Sequence, residues 1–332
     1  MRYVSFENLD KGMILGRPLY NDNGGLLVKE GCAVSDAVYK HIESQGLQGV
    51  YVEEPTYHHI VIEDVVSEKL RQMAYTALEK GDYDLCVSIA KSMVEEVRGK
   101  KNLTINLMDL KSYKNYEYHH CVSVAVYALV MGNAMSMTEE QLINLTVAGI
   151  LHDIGKFDVK KRVLNSKKIY DDKQMDEMMK HPMYSYEALK ENPNVSSVSR
   201  NSILFHHENL DGSGYYKVSG EKLGMFPRIL RIIDTYDALT ATRRHRKAFS
   251  PAFAFKAIVE DAGTIYDKEL VRQFITTFPM YPLGYTVTLS TGQMGVVVGQ
   301  NEDMERPTLM TLSGDIIDLY KDQNFRSVVI ED

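Results

Sequence analysis

Histidines and aspartates recur along the middle of this 332-residue chain at intervals that suit a helical domain. They are His120, the pair His152-Asp153, His181, the pair His206-His207, and Asp234, with 25 to 32 residues between successive positions. Each gap holds about one helix and its connection, so each helix can carry one such group to a common point. Most of them lie in apolar or turn-rich surroundings (GILHDIGK, SILFHHENLDGSGY, ILRIIDTYDAL), where a polar side chain needs a reason to be. Imidazoles and carboxylates converging in a helical domain are what a hydrolytic two-metal site requires.

The length suits two or three domains, and 44% hydrophobic with 25% charged residues describes an ordinary globular chain. The net charge of −7 gives no global attraction for a nucleic acid polymer, so an anionic ligand has to be held by local cations. Cys32, Cys86 and Cys121 are scattered and odd in number, which fits a reducing compartment. The opening MRYVSFENLDKG has no apolar signal core, and no segment reaches the apolar length of a membrane span. A cytoplasmic protein with no membrane partner is expected.

The texture changes twice along the chain. Residues 1–62 read as a small α+β module. It has a turn at 20–25 between the strand-like MILGRPLY and LLVKEG, a helix over DAVYKHIES capped by Ser35, and a strand at GVYVEE. Residues 63–280 read as helical, with two lead-in helices before a core at 113–250. Thr138 and Gln141 form a capping-box pattern, Pro227 suits the first turn of the helix carrying Asp234, and Ser250-Pro251 opens another helix. Residues 281–332 alternate apolar and polar groups between glycine-bearing turns, predicting a C-terminal β module. The fold class is therefore mainly α: an all-helical catalytic domain flanked by a small N-terminal α+β module and a small C-terminal β module.

Taken alone, an HD pair at a helix end is a polar cap. Here HDIGK is joined by the entry helix NYEYHHCVSVAVYAL, KHP at 180–182, HHENLDGSGY and RIIDTYDALTATRRHRKAFS. In that order, over residues 113–250, these motifs resemble the HD-GYP branch of the HD phosphohydrolase superfamily. The resemblance implies an HD-type helical domain in which His120, His152, Asp153, His181, His206, His207 and Asp234 hold two divalent transition-metal ions. Asp153 would bridge them, with His120, His152 and Asp234 on one ion and His181, His206 and His207 on the other. Nitrogen and oxygen ligands without thiolate suit iron or manganese. His119 competes with His120, but the family pattern selects His120. Glu117 is a solvated glutamate rather than a third-metal ligand on this reading, because Tyr116 occupies the position one turn before His120.

Lys156 and the run Arg243, Arg244, Arg246, Lys247 are by default solvated helix-end cations, and DGSGY is by default a turn. The resemblance implies instead that Lys156 faces the scissile phosphate, that Arg243 and Arg246 bind substrate, and that Tyr215 lies near the phosphate. The chain departs from the pattern in having Tyr216 where the name-giving proline stands, and Arg244-His245 where proline-tyrosine is usual. The expected activity is hydrolysis of cyclic di-GMP to pGpG or GMP by a metal-bridging hydroxide, with Asp153 and Lys156 as catalytic residues. Alternatives are a cyclic GMP-AMP phosphodiesterase and a catalytically weak cyclic-dinucleotide sensor or scaffold. A mononucleotide hydrolase fits the substrate-side residues less well. The N-terminal module carries no phosphoacceptor pattern at Asp10 or Asp22 and reads as a regulatory or homodimerisation module. The C-terminal module lacks paired arginines for dinucleotide binding and reads as structural support.

Overall fold

The computed structural model describes the chain apart from residues 21–25, 46, 48, 58–59, 61–63, 101–115, 165, 167–169, 242–247 and 332. The first elements are β1 (Arg2–Ser5), β2 (Ile14–Leu15), β3 (Leu19–Tyr20), β4 (Leu26–Val28), α1 (Asp36–Gln45) and β5 (Gly49–Glu53). Strand β5 lies between β1 and β2 in an antiparallel sheet, and β3 pairs with β4. The expected turn at 20–25 falls almost wholly outside the described residues. Ser35 Oγ accepts from the Val38 N–H at the start of α1, as the capping pattern predicts.

Helices follow: α2 (Glu68–Lys80), α3 (Tyr83–Val97), α4 (Tyr116–Ala134), α5 (Glu139–Leu151), α6 (Lys161–Leu164), α7 (Asp172–Met178), α8 (His181–Leu189), α9 (Ser197–Phe205), α10 (Met225–Thr240), α11 (Pro251–Glu260) and α12 (Lys268–Thr277). Helix α4 has no polar face from Cys121 to Gly132, so it is buried all round against α2, α3, α5, α10 and α12. Helix α5 starts at the Thr138–Gln141 capping box, with both reciprocal hydrogen bonds present. It lies so close to α4 that a Cβ on Gly149 would sit 2.7 Å from Ala125 Cα. Pro227 is in the first turn of α10, and Ser250 caps α11 ahead of Pro251. No described helix is long and apolar enough to cross a membrane.

The chain ends in β6 (Thr286–Leu289), β7 (Met294–Gly299), β8 (Thr308–Thr311), β9 (Ile316–Asp318) and β10 (Ile330–Glu331), an antiparallel sheet of order β10-β6-β7-β8-β9. Alternation puts its successive side chains on opposite faces. Val287, Leu289, Val297, Leu309 and Ile317 join the core of the helical domain. Val296, with Val298 and Met310 beside it, meets Tyr3, Tyr51 and Tyr57 of the N-terminal module. The Tyr3 N–H donates to the Gly284 carbonyl across the same seam, at 2.8 Å. The C-terminal sheet is thus an inner layer, covered by helices on one face and by the N-terminal module on the other.

Candidate metal centre

Helix ends deliver most of the polar groups. His152 closes α5, His206 closes α9, His181 opens α8, and Asp153 follows His152 into the 3-10 turn Ile154–Asp158. His120 and Asp234 come from within α4 and α10. That turn docks tightly onto α8: a Cβ at Gly155 would lie 2.2 Å from the His181 carbonyl oxygen. Ser185 Oγ fixes the contact by donating to the His152 carbonyl and accepting from the Gly155 N–H, both at 2.8 Å.

The last carbonyls of a helix lack intrahelical partners, and here they take imidazole protons. Nδ1 of His152 reaches the Gly149 carbonyl at 2.8 Å, and Nδ1 of His206 reaches that of Ile203 at 2.6 Å. Nδ1 of His181 reaches the Met178 carbonyl at 2.6 Å. A carbonyl can only accept, so each Nδ1 is a donor and the neutral ring turns the Nε2 lone pair inward. His120 Nδ1 is held at 2.7 Å by Asp237, one turn beyond Asp234 on α10, which fixes the ring with Nε2 facing inward.

The seven groups meet as two clusters. His120, His152 and Asp234 place one ligand atom each within 4.8 Å of one another, as do Asp153, His181, His206 and His207. Asp153 faces both. Its Oδ2 lies 3.4 Å from His120 Nε2 and 3.3 Å from His152 Nε2, whereas its Oδ1 lies 3.1 Å from His181 Nε2 and 3.7 Å from His206 Nε2. His120 Nε2 also approaches Asp234 Oδ1 at 2.9 Å.

Charge and hydrogen bonding test whether a cation suits this place. His152 Nε2 and Asp153 Oδ1 are buried and make no hydrogen bond. Orphaned polar atoms of this kind are costly unless something else satisfies them. Burial and the neighbouring His152 push His206 down to about 3, and burial with His206 pushes His207 well below the usual range, so both rings are neutral. Burial alone would raise Asp153, but His152, Lys156 and His120 hold its carboxyl well below the usual range. Burial likewise opposes ionisation of Asp234, and His120 and His207 overcome it. Imidazole nitrogens turned inward around ionised carboxylates form the donor set of a divalent metal.

Other expected residues surround the clusters. Lys156 Nζ is 2.5 Å from Asp153 Oδ2 and 3.5 Å from Glu117 Oε2, so Glu117 is paired with Lys156 rather than solvated. The reason is position: Glu117 and the HDIGK turn face the same space beside α4. His119 packs its ring against Tyr75, centroids 4.8 Å apart, on the side of α2. Tyr215 lies over His207, with ring centroids 4.5 Å apart, and meets His181 edge-on at 6.2 Å. Arg243, Arg246 and Lys247 lie outside the described residues.

At residue 216, where the chain departs from the family pattern, the backbone is held by Glu208. The buried Glu208 accepts from the N–H groups of Tyr216 and Val218, both at 2.7 Å, and so clamps the DGSGY loop. A proline at 216 has no N–H to give. Gly214 passes so near that a Cβ there would sit 2.5 Å from Glu208 Cα. Sequence reasoning missed the roles of Asp237 and Ser185. A second buried carboxylate one turn after Asp234 was the available signal for the first, and Ser185 offered none.

The HD domain family matches residues 102–270, half of the chain, and that match spans both clusters. The chain belongs to the HD domain family. Membership of the HD family implies divalent metal binding, in keeping with the two clusters. The chain is 29% identical over 217 residues to the cyclic di-GMP phosphodiesterase PA4108 of Pseudomonas aeruginosa, covering 64% of this chain and 52% of that protein. It is 29% identical over 181 residues to the 3'3'-cGAMP-specific phosphodiesterase 3 of Vibrio cholerae, covering 54% of this chain and 39% of that one. The chain thus spans about half, or less, of the length of these curated relatives. Among solved structures it resembles Bd1817, an HDG"Y"P protein from Bdellovibrio bacteriovorus, with a TM-score of 0.50 and 15% identity over 82% of this chain and 97% of that one. That likeness concerns the fold.

Proposed function

We propose that this protein is a metal-dependent cyclic-dinucleotide phosphodiesterase that hydrolyses cyclic di-GMP to pGpG or GMP. The observation that carries the reading is Asp153, whose two oxygens face separate histidine sets. Two ions, iron or manganese, would be held by His120, His152 and Asp234 and by His181, His206 and His207, with Asp153 between them. Bound there, they supply Lewis acidity toward the phosphodiester and an acidified water.

The chain's own groups do the rest. Nδ1–H bonds to carbonyls and to Asp237 keep the histidine rings oriented, so the site needs little rearrangement on loading. Lys156 carries positive charge beside Asp153, suited to stabilising charge that develops on the phosphorus oxygens. Tyr215 walls the His207 side, and Arg243 and Arg246 are proposed to bind the phosphates of the substrate. Cyclic GMP-AMP is the second reading, favoured by Tyr216 in place of the family proline and by the resemblance to a cGAMP-specific enzyme. A cytoplasmic location agrees with the free cysteines. Division at residues 62/63 and 280/281 and dimerisation through the N-terminal module remain parts of this proposal.

The test is turnover of cyclic di-GMP and cyclic GMP-AMP, side by side, by protein reconstituted anaerobically with iron or manganese. Lys156→Ala should lower kcat by about 100-fold or more while metal content is retained. Wild-type rates in that variant, or no turnover of either dinucleotide by the parent protein, would refute the reading.

A further inference from the structure

One cation beside the clusters has no part in the function so far. Arg231 stands one helical turn before Asp234 on α10, and its Nε donates to Asn209 Oδ1 at 2.9 Å. Asn209 is two residues beyond His207, so the guanidinium ties together the two segments that carry His207 and Asp234. Its Nη1 donates to Thr235 Oγ1 at 2.6 Å, and its carbon lies 5.4 Å from the centre of the Tyr266 ring. Tyr266 belongs to a segment zipped to the DGSGY loop, since the Leu210 and Asp211 N–H groups donate to the Ile265 and Thr264 carbonyls at 3.0 Å.

These contacts make Arg231 a rigid fork with donors to spare. A guanidinium has five N–H donors. The described residues accept from its Nε and Nη1, and none accepts from its Nη2. The group is partly exposed, and its charge is felt at His207, a member of one cluster, and at Tyr215 beside it. No carboxylate forms an ion pair with it among the described residues. A cation held open in this way, in a chain of net charge −7, suits an anion arriving next to the metal centre.

We propose that Arg231 binds the second, non-scissile phosphate of the cyclic dinucleotide, an inference that rests on the function proposed above. The two phosphates of such a ring are close together. A cation one turn from Asp234 therefore reaches the second while the first lies over the clusters. The nucleobases project outward from the ring and are not its target. Arg231 is thus an affinity determinant for cyclic dinucleotides as a class, indifferent to the base.

Three diesters separate the outcomes: cyclic di-GMP, cyclic GMP-AMP, and bis(p-nitrophenyl) phosphate, which carries a single phosphate. For Arg231→Ala, the kcat/KM of each dinucleotide relative to bis(p-nitrophenyl) phosphate should fall roughly 10- to 100-fold, chiefly through KM. Both dinucleotides should fall alike, and Arg231→Lys, which keeps charge but loses the fork, should fall less. Metal content and melting temperature are measured on each variant. An unchanged ratio, or a common loss on all three substrates together with metal, makes Arg231 a structural brace and overturns the inference alone. A fall for one dinucleotide only indicates base recognition and likewise overturns it. Cleavage of bis(p-nitrophenyl) phosphate by the parent protein without either dinucleotide overturns the inference and the proposed function together.

Discussion

Asp153 is where removal of one side chain should be felt by both clusters. Its oxygens are the only carboxylate atoms among the described residues that approach His120 and His152 on one side and His181 and His206 on the other. Asp153→Ala should therefore strip both ions, seen as near-zero metal by elemental analysis of folded protein. Retention of two ions would place the bridge elsewhere. His120 sets the pH dependence. Burial would lower its pKa, but Tyr116 and the carboxylates of Asp153, Asp234 and Asp237 overcome this and raise it well above the ordinary value. The metal-free ring is thus protonated at neutral pH, and a metal has to expel that proton. Apparent metal affinity should rise with pH through the neutral range, by up to about tenfold per unit while one proton is displaced. Titration calorimetry in buffers of different ionisation enthalpy measures the release, and a pH-independent affinity would contradict the ligand assignment of His120.

At the scale of elements, the site is an arrangement of helix ends held by loops, and the loop from Asn209 to Gly220 depends on Glu208. A buried carboxylate accepting two backbone N–H groups is a strong local clamp, and removing it leaves those donors buried without partners. Glu208→Ala should cost about 2–4 kcal/mol and lower the melting temperature by several degrees. It should also weaken metal retention, because His207 is its immediate neighbour in the chain. A variant with parental melting and metal content would show that the loop is held by other contacts. Helix ends at Thr138, Ser196, Ser250 and Asp171 are capped by their own side chains, so boundaries followed local rules there. The HDIGK turn did not: its docking needs Ser185, thirty-odd positions away, and nothing local announces that partner.

For the molecule as a whole, the C-terminal sheet joins what the chain order separates. Its two faces are buried against different parts, Val297 and Leu309 against helices and Val296 against Tyr51 and Tyr57. A chain ending at residue 280 should therefore expose apolar surface on both the helical domain and the N-terminal module. It should bind a hydrophobic dye, aggregate, and melt well below the full chain. A truncated protein that stays monomeric and melts like the parent would make the sheet an independent module.

Some properties of this protein were legible from residue order alone. Capping and proline patterns mark α5, α10 and α11, and alternation between glycine-bearing turns marks the C-terminal β segments, because both depend on contacts a few residues apart. The spacing of His120, His152-Asp153, His181, His206-His207 and Asp234 pointed to convergence, since buried imidazoles and carboxylates require common partners. Only the tertiary structure decided which atom of each ring faces inward, because that depends on carbonyls and carboxylates such as Asp237 lying within 3 Å in space. It also decided that Glu117 meets Lys156, that Glu208 uses the N–H a proline would lack, and that the terminal modules pack on each other. Those outcomes arise from contacts between distant parts of the chain, and such contacts follow the packing of whole elements rather than any local pattern.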